Sequence, residues 1–307
     1  MKPRILVVGS SNTDMIARVP RIPRPGETIL GGEFATAAGG KGANQAVAAA
    51  RAGGEVTFIA RLGKDMFGDR ALAGFIRAGI NVRFVRRDPR QPSGVALIYV
   101  ADSGENSIAV APGANARLSP ADVRGAQAQF KRTDVLLTQL ETPLASVRMA
   151  LECAARQGVL TILNPAPARE LPEDLLRRVS ILTPNETEAE WLTGVKVTGE
   201  ASGVRAAAKL RARGVQTVII TRGDQGALVV NETGQRRVPT LKVKPVDTTA
   251  AGDVFNGALA VALAEGRPLL EAVWFANTAA AISVTRLGAQ PSAPTRRAIE
   301  RRLVRRD

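Results

Sequence analysis

The sequence contains no histidine among its 307 residues. This absence excludes Ser-His-Asp and Cys-His catalysis, histidine-ligated zinc enzymes and kinases whose catalytic loop begins His-Arg-Asp. The single cysteine, Cys153, provides neither a disulfide framework nor a cysteine zinc site, and we expect a small buried residue there. Any proton transfer must therefore rely on a carboxylate or another group that is not histidine.

Long apolar runs are also missing near the N-terminus. The run at residues 5–8 is far shorter than a signal sequence or a membrane span, so we expect a cytoplasmic protein with no membrane partner. Hydrophobic residues make up 45% of the chain, which is enough to bury a large core and unlike the composition of a disordered chain.

Acidic residues are scarce relative to basic ones, 28 against 42, and the formal net charge is +14. Such an excess attracts polyanions irrespective of their sequence. The basic residues are dispersed, however, and cluster only at 296–297 and 301–306, while aromatic residues make up 4%, too few for base-stacking surfaces. We therefore expect weak nonspecific adhesion to nucleic acid and no specific nucleic-acid partner.

Strand-like apolar runs alternate with segments of helical periodicity along most of the chain. This alternation predicts an α/β fold with a parallel sheet covered by helices. Strands are predicted at residues 5–9, 56–60, 135–139, 160–164, 181–184 and 217–221. Helices are predicted at residues 43–52, 67–78, 143–157, 186–192, 204–213, 253–264 and 269–284.

Two segments interrupt the alternation. Residues 15–37 hold several prolines and glycines, and residues 94–111 are typical of two strands around a turn-rich tip at 102–106. Together they predict a small sheet that covers the active site as a lid. No linker or repeat divides the rest, so we expect a single α/β domain over residues 1–307.

The strongest local motif is Val-Asp-Thr-Thr-Ala-Ala-Gly-Asp at residues 246–253, directly before a helical run. Small residues at a helix start leave backbone N–H groups open to an anion at the positive end of the helix dipole. Ala250, Ala251 and Gly252 are therefore a candidate oxyanion or phosphate hole. Asp253, at its mouth, is a candidate base for a hydroxyl that attacks phosphorus. From spacing alone, an acidic helix cap explains Asp253 equally well.

A second motif, Gly-Gly-Lys-Gly-Ala-Asn-Gln at residues 39–45, precedes a helix of small residues. The glycines would let the backbone approach a polyol, while Lys41 and Asn44 would supply polar contacts. The motif is not a Walker A loop, because Gly42 follows Lys41 where serine or threonine is needed, and it is not a dinucleotide fingerprint. Taken alone, it is explained better by a plain helix-entry turn.

Further polar groups follow predicted strands, which is where ligand crevices of open α/β sheets lie. They are the Ser-Asn-Thr-Asp run at residues 11–14, Glu141 and the glycine turn at residues 221–226. Asn185 and Glu188 open a helix and are candidates for phosphate or hydrated magnesium. Each of these groups alone is typical of a cap or turn, but their shared position after strands favours a site.

In this order, the motifs resemble those of the PfkB family of carbohydrate kinases over nearly the full chain. The resemblance rests on residues 39–46, 164–172, 183–190, 247–257 and 284–292. It implies a three-layer fold with a mostly parallel central sheet flanked by helices, a small β-sheet lid and a homodimer formed through the lid strands. The implied substrates are ATP and a sugar, with Mg²⁺ and a potassium ion as activators.

The implied reaction transfers phosphate from ATP to the 5-hydroxyl of D-ribose. The alternative within the family is a kinase of another small sugar or nucleoside, such as deoxyribose or adenosine. The rival from another class is a nonenzymatic sugar sensor or DNA-associated protein. That rival predicts that the base is missing or the anion hole is broken. In this sequence the candidate base and the residues of the candidate anion hole are both present.

The resemblance also assigns roles to positions, with Asp253 as catalytic base beside an anion hole at Ala250, Ala251 and Gly252. The positions implied to bind sugar are Asn12, Thr13, Asp14, Gly40, Lys41, Gly42, Ala43, Asn44 and Glu141, together with Asp253. Those implied to bind the nucleotide are Asn185, Thr221, Arg222, Gly223, Asp224, Gln225, Gly226 and Asn277. Asn185 and Glu188 are implied to act indirectly on magnesium and phosphate. The implied monovalent-cation site comprises Asp247, Thr249, Ser283, Arg286, Gly288 and Ser292.

Overall fold

The computed structural model describes residues 2–303, and within that range thirteen strands form two sheets accompanied by eleven α-helices. The strands are β1 (Arg4–Val8), β2 (Asn12–Val19), β3 (Glu33–Gly39), β4 (Glu55–Gly63), β5 (Asn81–Asp88), β6 (Gly94–Ala101), β7 (Asn106–Ala111), β8 (Val135–Thr138), β9 (Leu160–Leu163), β10 (Ile181–Leu182), β11 (Thr217–Thr221), β12 (Ala227–Asn231) and β13 (Gly234–Val238). The helices are α1 (Lys41–Arg51), α2 (Met66–Arg77), α3 (Pro120–Arg124), α4 (Gln127–Phe130), α5 (Leu144–Ala155), α6 (Glu173–Leu176), α7 (Glu186–Thr193), α8 (Glu200–Ala212), α9 (Ala251–Ala264), α10 (Leu269–Ser283) and α11 (Arg296–Leu303).

The larger sheet has nine strands in the order β13-β12-β11-β10-β9-β8-β1-β4-β5. Strands β11 through β5 in that order are parallel, and only β12 and β13 join antiparallel. The predicted mostly parallel sheet is confirmed, and all six predicted strands belong to it. Strand β5, the β12–β13 hairpin and helices α3, α4, α6 and α11 were not predicted from the sequence.

Helices cover both faces of this sheet and create three layers. Side chains of a strand alternate between faces, and from Ile5 to Val8 both sets are buried. Val7 belongs to a core cluster with α1, α9 and α10, whereas Leu6 and Val8 belong to a second cluster with α5 and α8. Because neither face of this part of β1 meets water, residues 5–8 form the continuous apolar run expected of a parallel sheet.

Helices α1 and α9 approach each other closely on the first of these faces. A Cβ atom added to Gly257 would lie 2.7 Å from both the Ala48 Cβ and the Gln45 backbone oxygen, so only glycine allows this packing. Close contact between the two helices brings the start of α9 beside the start of α1. The two motifs that stood far apart in the sequence therefore meet at one point.

The smaller sheet has four strands in the order β3-β2-β6-β7, and the segments at 15–37 and 94–111 supply most of it. Only three residues separate β1 from β2, so the small sheet is attached at the carboxyl edge of the large one. Among the described residues, no helix is long and apolar enough to cross a membrane.

Candidate active site

The loop after β8 and the start of α1 meet at the carboxyl edge of the large sheet. Glu141 Oε2 accepts hydrogen bonds from Ser10 Oγ at 2.5 Å and from the Lys41 backbone N–H at 2.9 Å. The N–H groups of Gly42 and Ala43 donate to Ser10. The backbone donors of residues 41–43 are thus used within the protein, which leaves side chains of this motif to contact a ligand.

Asp253 lies at the start of α9 with its carboxylate buried against α1. Asn44 Nδ2 donates to Asp253 Oδ2 at 3.0 Å, and Gln45 Nε2 donates to Asp253 Oδ1 at 2.9 Å. Asn44 Oδ1 is also buried and has no hydrogen-bond partner among residues 2–303. An unpartnered buried acceptor costs free energy, so this atom fits a ligand that brings a hydroxyl donor.

The backbone just before Asp253 turns sharply. Ala250 has φ 59° and ψ 14°, the left-handed conformation that is uncommon outside glycine. In the described part of the chain, the N–H groups of Gly252 and Asp253 have no hydrogen-bond acceptor, while that of Ala251 donates to the Thr248 oxygen. Two bare donors at a helix N-terminus suit an anion.

A cavity of about 180 Å³ opens at these donors. It is lined by Lys41, Asn164, Ala166, Thr183, Asn185, Glu188, Thr221, Thr248, Ala250, Ala251, Gly252, Asp253 and Asn256. The structure therefore brings together residues from α1, α7, α9 and the ends of β9, β10 and β11, including many that the sequence analysis placed in separate motifs.

Several charged groups crowd this region and perturb one another. Burial raises the pKa of Asp253, against the opposing effects of Lys41 and the amide donors. Burial raises the pKa of Asp14 to about 6, with further contributions from Glu141 and Asp253. Burial lowers the pKa of Lys41, but the carboxylates of Asp253, Glu141 and Glu188 outweigh it and the net shift is upward. Lys41 therefore carries its positive charge inside an acidic group of side chains.

Asn12 is oriented by a residue that the sequence analysis missed. Asn115 Nδ2 donates to Asn12 Oδ1 at 2.8 Å and to the Ser11 oxygen at 3.0 Å, and Asn115 Oδ1 accepts from the Ser11 N–H. The Asn12 amide is thereby turned so that its NH₂ group remains available. By strand alternation Asp14 shares a face of β2 with Asn12, while Thr13 faces the other way.

A larger cavity of about 550 Å³ adjoins the anion site, since the two share Thr221, Thr248, Ala251 and Gly252. It is mostly apolar and extends to Asn277, whose amide donates to the Val238 and Pro239 oxygens. Its remaining lining residues are Gly223, Asp224, Gly226, Thr240, Leu241, Lys242, Val243, Pro245, Phe255, Ala280, Ala281 and Val284. The segment at residues 240–245 was not anticipated from the sequence.

Two positions of the glycine turn lie outside the lining of this cavity. The side chain of Arg222 is buried and pairs with Glu186 at 3.1 Å, and Gln225 is exposed. Asn185 and Glu188 close the N-terminus of α7 as a capping box, with Asn185 N–H donating to Glu188 Oε2 at 2.9 Å. Glu188 thus has a structural partner and also borders the anion cavity.

The positions suggested for a cation lie on two segments that Asp247 joins. Asp247 Oδ1 accepts from the Thr249 N–H at 2.9 Å, and Asp247 Oδ2 accepts from the Gly288 N–H at 2.8 Å. The Ser283 oxygen accepts from the Arg286 N–H at 3.0 Å. The available ligands are all oxygen atoms, which suits a hard monovalent cation better than a transition metal.

The site therefore combines a buried carboxylate, two bare N–H donors and two adjoining cavities, an arrangement suited to transferring an anionic group to a hydroxyl. Residues 2–296 match the profile described as pfkB family carbohydrate kinase. The chain belongs to this family.

Similar proteins include a ribokinase of Haemophilus influenzae, 47% identical over 96% of this chain and 97% of that protein. A deoxyribokinase of Salmonella typhi is 39% identical over 95% of each chain. A solved structure described as Arabidopsis thaliana ribokinase complexed with ribose and ATP superposes with a TM-score of 0.90. It shares 32% identity and covers 98% of each chain.

Proposed function

We propose that this chain is an ATP-dependent sugar kinase that transfers the terminal phosphate of ATP to the 5-hydroxyl of D-ribose. The observation that carries the proposal is the position of Asp253, a buried carboxylate directly beside the bare N–H groups at the start of α9. A base and an anion hole within one turn of helix are the two groups that in-line transfer to a hydroxyl requires.

In the proposed mechanism, Asp253 accepts the proton of the attacking hydroxyl. Asn44 contributes to orienting that hydroxyl, because its Oδ1 is buried with no partner in the described part of the chain while its Nδ2 already bonds Asp253. The N–H groups of Gly252 and Asp253 stabilise negative charge on the transferred phosphoryl group. Lys41, whose net pKa shift is upward, remains charged at the edge of the same cavity.

The sugar site is proposed to lie between β2 and the start of α1. Asn12 offers its NH₂ group, Asp14 offers carboxylate oxygens, and Lys41 and Asn44 provide further polar contacts. This set of hydroxyl-binding groups supports a free, heavily hydroxylated sugar over a nucleoside. Gly40, Gly42 and Ala43 contribute by shaping the helix entry, since Gly42 and Ala43 direct their N–H groups to Ser10.

The nucleotide is proposed to occupy the 550 Å³ cavity with its phosphates toward Gly252 and its base toward Asn277. The cavity fits such a ligand because its apolar interior ends at the anion-binding backbone of α9. Glu188 is the carboxylate placed to receive hydrated Mg²⁺, aided by Asn185. When bound, magnesium would neutralise negative charge on the phosphate groups.

A monovalent cation, with potassium as the expected ion, is proposed at the segments 247–249 and 283–292. The Asp247 carboxylate and backbone carbonyls of these segments form the proposed donor set; the Ser292 hydroxyl, which donates to the Ala289 oxygen, belongs to the second segment. When bound, the cation adds positive charge near the anion hole. Asp247 tethers both segments through the Thr249 and Gly288 N–H groups, so it holds this loop next to α9.

The small sheet is proposed to serve both as a lid over the sugar and as a homodimer interface. Large apolar side chains are exposed on both of its faces: Phe34, Leu97 and Tyr99 on one, and Ile108 and Val110 on the other. Exposed apolar sheet faces and open edges favour association. A dimeric mass in light scattering at micromolar concentration is expected, and a monomeric mass contradicts the interface. The cytoplasmic location expected from the sequence stays a prediction.

The second candidate substrate is deoxyribose, which the similarity to a deoxyribokinase supports. ADP release measured across D-ribose, 2-deoxy-D-ribose and adenosine, with and without potassium, separates these proposals. We expect the highest kcat/KM with D-ribose and stimulation by potassium. Preference for 2-deoxy-D-ribose contradicts the proposed substrate, and no turnover with any sugar contradicts the proposed activity.

A further inference from the structure

A chain of buried side-chain amides leads to Asp253 and reaches the wall of the anion cavity at Asn164. Gln139 Nε2 donates to Gln45 Oε1 at 2.5 Å, and Gln45 Nε2 donates to Asp253 Oδ1 at 2.9 Å and to Asn164 Oδ1 at 3.1 Å. Asn164 Nδ2 in turn donates to the Thr183 oxygen at 3.1 Å. Gln45 is completely buried, so its amide is held from all sides by protein.

The direction of the Gln45 amide is fixed by its neighbours. If the amide were reversed, its oxygen would face two acceptors, Asp253 Oδ1 and Asn164 Oδ1, and its NH₂ group would face the Gln139 NH₂ group. Gln139 Oε1 is buried with no partner in the described residues, an arrangement that costs free energy. The Gln45 amide therefore keeps the orientation in which its NH₂ group donates to Asp253, although this leaves Gln139 Oε1 without a partner among the described residues.

Asn44 and Gln45 therefore divide the two oxygens of Asp253 between them, but they differ in what else they contact. Within the described residues Asn44 Oδ1 is buried without a partner, whereas both polar atoms of Gln45 are used within the protein. Gln45 thus contacts the proposed base without contacting the ligand.

We propose that Gln45, anchored by Gln139, is a positioning residue that holds the Asp253 carboxylate in its ionised, reactive orientation. This inference rests on the proposed role of Asp253 as base. The donor from Gln45 bonds one carboxylate oxygen, and the other remains near Asn44 for the attacking hydroxyl. A hydrogen bond to the charged form of a carboxyl favours that form, so Gln45 offsets the burial that otherwise favours protonation.

The inference predicts a specific change in pH dependence. Gln45→Met removes the donor with little change in volume, so the acidic limb of the kcat profile is expected to move to higher pH by about one unit. The rate defect is then larger at pH 6 than at pH 8.5. Gln139→Met, which only releases the anchor, is expected to shift the limb less, in the same direction.

The other charged groups that face Asp253 are Asp14 on β2, Lys41 on α1, Glu141 after β8 and Glu188 on α7. The profile is therefore measured as kcat at saturating ribose and ATP, because protonation of Asp14 affects sugar binding and enters KM. Gln45→Met in an Asp14→Asn background must show the same shift as in the native background.

Thr138→Val is the matched control. Thr138 is as deeply buried as Gln45, and the replacement removes one hydrogen bond, to the Val8 oxygen, at a residue that makes no hydrogen bond to Asp253. It is expected to lower the melting temperature without moving the acidic limb. An unmoved limb in folded Gln45→Met, or in folded Gln139→Met if the first variant does not fold, overturns the inference. Failure of the native protein to phosphorylate any sugar, or near-native activity of Asp253→Asn, instead overturns the proposed function.

Discussion

Asp14 offers a test in which stability and activity are expected to move in opposite directions. Its pKa is about 6 in the folded protein against an ordinary 3.8, because burial and the nearby Glu141 and Asp253 disfavour the charge. Well below pH 3.8 the carboxyl is protonated in both the folded and the unfolded state and contributes no penalty. As the pH rises from about 4 to 6 the unfolded state releases its proton first, so stability is lost over that window.

The replacement Asp14→Asn removes this penalty while keeping a similar shape. A difference of about two pKa units corresponds to about 3 kcal/mol, and solvent screening at this incompletely buried position reduces the expected gain to about 1–2 kcal/mol. Urea unfolding should therefore show Asp14→Asn to be more stable than the native protein at pH 8, with a smaller gain at pH 5.

The same replacement should weaken ribose binding, because an amide is a poorer acceptor for hydroxyl groups than a carboxylate. Steady-state kinetics at pH 8 are expected to show a raised KM for ribose. Equal stabilisation at pH 5 and pH 8, or a loss of stability at pH 8, refutes the reasoning about the buried charge. An unchanged KM refutes the proposed contact with sugar.

Three further replacements test separate parts of the site. Asn115→Leu frees the Asn12 amide to rotate and is expected to raise the KM for ribose more than it lowers kcat, so an unchanged KM contradicts the orienting role. Lys41→Ala removes a positive charge from the cavity and is expected to raise the KM for sugar about 10-fold or more, corresponding to about 1.4 kcal/mol; native KM values would remove Lys41 from the site. Asp247→Ala releases the tether between residues 249 and 288 and is expected to abolish stimulation by potassium, whereas undiminished stimulation would argue against the proposed cation loop.

Most of the fold was predictable because local patterns carry it. The strands of the parallel sheet are buried on both faces and therefore have continuous apolar runs, and glycines mark the ends of several helices. The β12–β13 hairpin was less visible, because β13 is an exposed edge strand with polar and basic side chains. The order of strands in the sheet also cannot be predicted from local sequence patterns, since it depends on which apolar faces pack together.

The candidate site was predictable where small residues and polar residues occur side by side, as in residues 246–253. The long-range partners were not predictable. Asn115 contacts Asn12 across 103 positions, and Gln139 contacts Gln45 across 94, so neither pair leaves a local signal. The left-handed conformation of Ala250 was also hidden, because alanine is not a residue that normally indicates positive φ.

The replacement Asp253→Asn tests the central claim most directly. The amide preserves size and can still accept a hydrogen bond from α1, but it cannot take a proton from the attacking hydroxyl. With melting temperature and calorimetric binding of ribose and ATP as folding controls, ADP release is expected to fall by about 10²- to 10⁴-fold while binding is retained. Turnover near the native rate would contradict the assignment of Asp253 as the base.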